Sequence, residues 1–164
     1  MNVYWAIIDW LHLIAMTIWI GGLAFYILVL MPSLQTLDPP QAGKVMGAIA
    51  KRYAPITWMA VLVLIVTGIL ISRARGVLGI QLGSTYGVWL FVKHLLTVLM
   101  IVNGFVISAV IGPKLKPPVS KPGEQPAPPP PQVVKLRKLA GLLGYVQLVL
   151  AAVVLFSTGS LSAI

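Results

Sequence analysis

Residues 9–25, "DWLHLIAMTIWIGGLAF", form an apolar run that carries a carboxylate, an imidazole and a thioether in its first half. Extended back to Tyr4 and forward to Met31, the run exceeds the roughly 20 residues that cross a hydrocarbon core about 30 Å thick. It has no basic lead-in and no small-residue cleavage site. It is also longer than the roughly 7–15 apolar residues of a secretory signal, so it predicts a retained helix. Three further segments qualify on the same count, about 55–72, 86–111 and 139–159. The chain therefore reads as an all-α integral membrane protein, an up-down bundle of four transmembrane helices in one domain over 1–164.

The composition agrees. Of 164 residues, 59% are hydrophobic and 9% charged, with a mean hydropathy of +0.96, outside the balance of a soluble domain. The formal charge of +9 does not point to nucleic acid, because the cations sit in the short connections rather than on one face. Lys44, Lys51 and Arg52 lie in the first connection, and Lys114, Lys116, Lys121, Lys135, Arg137 and Lys138 in the third. Only Arg73 and Arg75 lie in the second, and Lys93 is within a span. The positive-inside rule places connections 1 and 3 in the cytoplasm and both termini on the outer side of a cell's inner (plasma) membrane.

Asp38-Pro39-Pro40 starts a short interfacial helix ahead of Pro55, which suits the first turn of span 2. Residues 112–134 hold most of the prolines and almost nothing to bury, which predicts an extended, mobile cytoplasmic linker. The Gly-spaced second connection is expected to fold back over the outer mouth of the bundle.

With no cysteine in the chain, a bound metal or cofactor falls to His, Met, Lys or carboxylates. The two histidines occupy different spans. His12 lies eight residues in from Tyr4 and His94 eight in from Tyr86, each about 12 Å deep at 1.5 Å per residue. The first and third helices of an up-down bundle are diagonal neighbours, so two inward-facing imidazoles at one depth make a two-ligand site. Trp5, Asp9, Met16, Trp19 and Leu23 share the His12 stripe, and Gly87, Leu90, Phe91, Thr97 and Ile101 share or flank that of His94. Such a cleft suits a haem b, with Trp19 and Phe91 against the ring.

Asp9 is placed to hold the second ring nitrogen of His12. Lys93 is placed to pair with Asp9 or with a haem propionate. Met16 offers a soft ligand to Cu(I), although a thioether in a membrane helix is also ordinary packing. Trp5, Trp10, Tyr86 and Trp89 read as interface anchors, and Gly21-Gly22 and Gly104-x-x-x-Ser108 as close helix contacts.

"WLHLIAMTIWIGGLAFYILVLMPSL", "KRYAPITWMAVLVLIVTGILI" and "STYGVWLFVKHLLTVLMIVNGF" together resemble the membrane core of the copper resistance D (CopD) family over about residues 4–112. They share a first-helix His, Trp-x-Gly-Gly, a Thr-Gly closing the second span, and Tyr-Gly before a Lys in the third. A more distant likeness is to HemJ-type protoporphyrinogen oxidases, four-helix proteins with a His early in helix 1 and a Lys in helix 3. The first resemblance implies copper movement at the inner membrane, carried to His12, His94 and Met16. The second implies haem binding or porphyrinogen oxidation, carried to His12 and Lys93.

The leading expectation is a b-type haem between His12 and His94, exchanging electrons with a quinone or an outer-face redox protein. One site in the outer half cannot alone carry electrons through about 30 Å of hydrocarbon. Copper binding or transport ranks second, because Met46 and Met59 lie far from the histidines and Met100 on another face. Porphyrinogen oxidation and an accessory role in a homo-oligomer or larger membrane complex are the remaining readings. The motifs of hydrolases, phosphate-binding loops and zinc peptidases are absent.

Overall fold

The computed structural model describes residues 2–77, 82–115 and 130–162. Four helices carry them: α1 Val3–Leu34, α2 Pro39–Ala74, α3 Thr85–Leu115 and α4 Pro131–Ser162. Each is long and apolar enough to cross a membrane, and at most 17% of its most apolar stretch is buried inside the protein. The large hydrophobic residues left outside, such as Trp10, Phe25, Leu62 and Phe156, have lipid as their solvent, and helices satisfy the backbone there. No strand occurs among the described residues.

Start signals are visible in the residues that cap. Asn2 Oδ1 accepts from the Tyr4 amide at 3.1 Å, and Ser84 Oγ accepts from the Gly87 amide at 3.1 Å, each satisfying a donor that a helix start leaves unpaired. α2 ends through Gly76 at φ +65°. The Val77 amide reaches back to the Ser72 carbonyl and the Gly76 amide to Arg73, the closing pattern that glycine permits.

Two boundaries differ from the sequence reading. The expected interfacial helix and span 2 are one continuous helix with Pro55 inside it. Pro55 leaves the Lys51 carbonyl without its helical donor. That stretch is exposed and cation-rich, so the break is local. The fourth helix starts at Pro131, not near 139, because proline fits a first turn and Lys135, Arg137 and Lys138 extend it through the interface. Residues 78–81 of the second connection and 116–129 of the proline tract lie outside the described residues.

α1 packs along α2 and α3 along α4. Small side chains on α1, α2 and α4, namely Ala15, Ala60 and Ala151, let the helices approach around Trp19, Val61, Met100 and Val154 at the bundle centre, as expected where lipid supplies no hydrophobic drive between helices. Trp58 and Phe105 join α2 to α3 edge-to-face, and Trp89 and Phe156 join α3 to α4. A polar clamp also ties α3 to α4. Asn103 Nδ2 donates to Gln147 Oε1 at 2.7 Å and to the Leu143 carbonyl at 3.0 Å, and Gln147 Nε2 donates to the Met100 carbonyl at 2.9 Å.

α1 and α3 are not regular throughout. π-helical turns occupy Thr17–Gly21, Tyr26–Leu30 and Val106–Ile111, and a hydroxyl bonds back four residues in or beside each one. These are Thr17 to Leu13, Ser33 to Val29 and Ser108 to Gly104. Such bonds supply carbonyls whose regular partners the wider turn displaces.

Candidate functional site

His12 faces α2. Its Nδ1 lies 2.8 Å from Thr67 Oγ1, and Thr67 Oγ1 donates to the Val63 carbonyl at 2.6 Å. A hydroxyl has one proton. With that proton on Val63, Thr67 can only accept from His12, so Nδ1 carries the hydrogen, and in the neutral ring Nε2 keeps a free lone pair. The ring also lies against Gly68, where a Cβ would stand 3.5 Å from His12 Cε1. Thr67 is 4% exposed. Thr67-Gly68 is therefore a seat: the first residue fixes the tautomer and the second leaves room for the ring.

Sequence reasoning missed Thr67 as the partner, although the signal was present. α1 and α2 run in opposite directions, and Thr67 stands eight residues before Arg75 as His12 stands eight after Tyr4. The two positions share one depth.

The expected orienting group, Asp9, is exposed and acts on His12 only through space. The hydrogen bond of His12 Nδ1 goes to Thr67 on the facing helix instead. Asp9 lies outward of His12, where a carboxylate keeps its hydration.

On α3, His94 is exposed and Lys93 half-buried. Lys93 falls on the inward stripe with Thr97 and Met100, and Met100 is 1% exposed. His94 lies on the outward stripe with Phe91 and Val98, all three exposed. The polar group that α3 offers on its inward stripe at the depth of His12 is Lys93. Trp19 is 7% exposed and belongs to the central core. Met16 is half-buried one turn beyond His12.

A haem held between His12 and His94 is not shown by these positions. His94 points away from the axis, Phe91 goes with it, and Trp19 fills core space instead of lining a slot. Among the described residues, no group of three or more His, Asp or Glu side chains is gathered as a metal cage. The site is one seated imidazole whose Nε2 makes no hydrogen bond among the described residues, with a thioether one turn away, a carboxylate on the outward side and a lysine on the inward stripe of α3.

Fold and site together define a multi-pass membrane protein, a four-helix bundle with a single oriented imidazole near one face. The sequence pattern of the copper resistance protein D family matches residues 47–161, and the chain belongs to that family. The matched stretch contains the Thr67-Gly68 seat, Lys93 and the α3–α4 clamp, while His12 lies on the helix before it. Compared with curated proteins and with solved structures, the chain has no significant match.

Proposed function

We propose that this chain binds copper(I) in the half of the bilayer that holds His12, as part of copper handling at a cell's inner membrane, with both termini outward. The observation that carries the reading is the seat. An imidazole whose Nδ1–H is committed to Thr67 presents Nε2 as a ready ligand, the arrangement typical of metal-binding histidines. Met16, four residues on along the same helix face, supplies the soft sulfur that Cu(I) favours. Exposed Asp9 attracts the cation at the entrance. Copper is here the cargo, and family membership supports the same chemistry.

The test is competition of the purified protein with a chromogenic Cu(I) chelator under reducing conditions. Stoichiometric binding lost in His12→Ala and weakened in Met16→Leu is the expected result. Binding that is absent, or indifferent to both substitutions, removes the proposal.

One observation favours a second reading. The inward group on α3 is a lysine, and a half-buried cation at the depth of His12 suits an anionic ligand better than a bare metal ion. In that reading His12 alone ligates a porphyrin, and Lys93 holds one of its carboxylates, in electron transfer or porphyrinogen oxidation. Reduced-minus-oxidised absorption bands that vanish in His12→Ala and change in Lys93→Ala, in a protein that binds no copper, would put this reading first.

A further inference from the structure

A groove opens between α1 and α2 at the cation-rich end of the bundle, on the opposite side of the membrane's midplane from His12. Its volume is about 410 Å³, and Gly21, Gly22, Phe25, Tyr26, Ile49 and Tyr53 line it, a size within the roughly 300–1,000 Å³ of small-molecule sites. The sequence builds it deliberately. Tyr26 stacks on Tyr53 with ring centroids 5.7 Å apart and planes 8° from parallel, and the Tyr26 hydroxyl is tied to Met46 Sδ at 3.3 Å. Tyr53 lies so close over Gly22 that a Cβ there would stand 3.0 Å from its ring, whereas a Cβ at Gly21 would meet nothing within 4 Å. The pair is a fixed floor and Gly21 is an open wall. The π turns Thr17–Gly21 and Tyr26–Leu30 bracket the groove, where such turns often mark function.

We propose that this groove seats an acyl chain of an anionic phospholipid, with its headgroup at Arg52. Charge complementarity selects this occupant. Arg52 follows Ile49 by one helical turn and is exposed, so it flanks the face of α2 that carries Ile49 and Tyr53, while the groove's own lining is apolar. Basic pockets between membrane helices bind anionic headgroups in this way, each cation contributing enough for roughly a five-fold preference. Tyrosines at that level belong to the headgroup boundary. The lipid would hold α1 against α2 at the end remote from the imidazole seat.

Native mass spectrometry of the full chain, released from bilayers of equal phosphatidylglycerol and phosphatidylcholine, tests the assignment. The expected result is one retained phosphatidylglycerol, about five-fold or more over phosphatidylcholine. Gly21→Leu should fill the groove and abolish retention, and Arg52→Gln should reduce the preference several-fold while leaving the fold intact. Equal retention of both lipids overturns the proposal, as does retention unchanged in Arg52→Gln or in a folded Gly21→Leu. An isoprenoid quinone retained in place of phospholipid, and expelled by Gly21→Leu, overturns it as well. Copper binding is not a readout of this experiment, so its outcome is independent of the site at His12.

Discussion

Thr67→Val separates the seat from the ligand. Valine keeps the volume and branching of threonine but removes the one acceptor of His12 Nδ1–H, held at 2.8 Å. Two effects follow. The first is on stability. An unsatisfied buried donor costs about 1–3 kcal/mol, but interhelical hydrogen bonds in membranes average only about 0.6 kcal/mol and reach about 1.7. His12 is half-buried rather than enclosed, so the loss should fall near 1 kcal/mol. The second effect is on binding. Without Thr67, nothing fixes which nitrogen carries the proton, and partners that orient metal-bound histidines are worth roughly 10–100-fold in affinity.

Thr67→Val should therefore weaken Cu(I) binding by about that factor while the bundle stays folded, and Thr67→Ser should restore most of it. The assay is chelator competition beside a denaturation curve in one detergent, with ¹⁵N NMR of the imidazole to read the tautomer. Proton accounting at Thr67, which donates to Val63 at 2.6 Å, requires the Nδ1–H form in the wild type. An Nε2–H tautomer there, or a Thr67→Val protein that binds copper as tightly as wild type while His12→Ala does not, refutes the reasoning.

Other substitutions probe the remaining claims. His94→Ala, at an exposed position, should change stability by no more than about 0.5 kcal/mol and leave copper affinity unchanged; a loss comparable to His12→Ala would restore the paired-histidine site. Gly22→Ala, whose Cβ would stand 3.0 Å from Tyr53, should destabilise by about 1 kcal/mol or more as overpacking does, while Gly21→Ala should be neutral or gain up to about 1 kcal/mol in helix propensity; equal effects in thermal melts would remove the claimed asymmetry. Gln147→Leu removes one of the two acceptors of Asn103 Nδ2, so the double-mutant cycle with Asn103→Leu should show a coupling of about 0.5–1.7 kcal/mol, and strict additivity would deny the clamp.

Depth was legible in the sequence and rotation was not. Span positions, counted at 1.5 Å per residue from the interface tyrosines, put His12, Lys93 and His94 at one level. Choosing between Lys93 and His94 as the inward group needs the phase of α3, since neighbours differ by about 100° around a helix. In water, that phase is written in polar and apolar stripes. In lipid both the core and the surroundings are apolar, so Leu95 and Val98 outside resemble Leu96 and Met100 inside. The more informative signal was size: Ala15, Ala60 and Ala151 mark the core, because close approach drives packing where the hydrophobic effect does not. Thr97 lies three residues from His94 and four from Lys93, near both stripes, and so does not fix the phase of α3.

The same ambiguity explains why Thr67 was read as part of a likeness and not as a contact. A threonine in a membrane helix normally spends its proton on its own backbone, as Thr97, Ser108 and Thr158 do here, and so looks self-contained. Spending the proton leaves the oxygen's acceptor capacity free. Whether that capacity is used depends on what the facing helix brings to the same depth, and at Thr67 it brings the only imidazole on α1. In the proposed copper site the ligand and its seat thus belong to two helices, and α1–α2 packing sets the orientation of Nε2. Any perturbation that rotates α1 must then alter ligand affinity before it alters helix content, which places the functional coupling of this bundle at the α1–α2 contact and not at its central core.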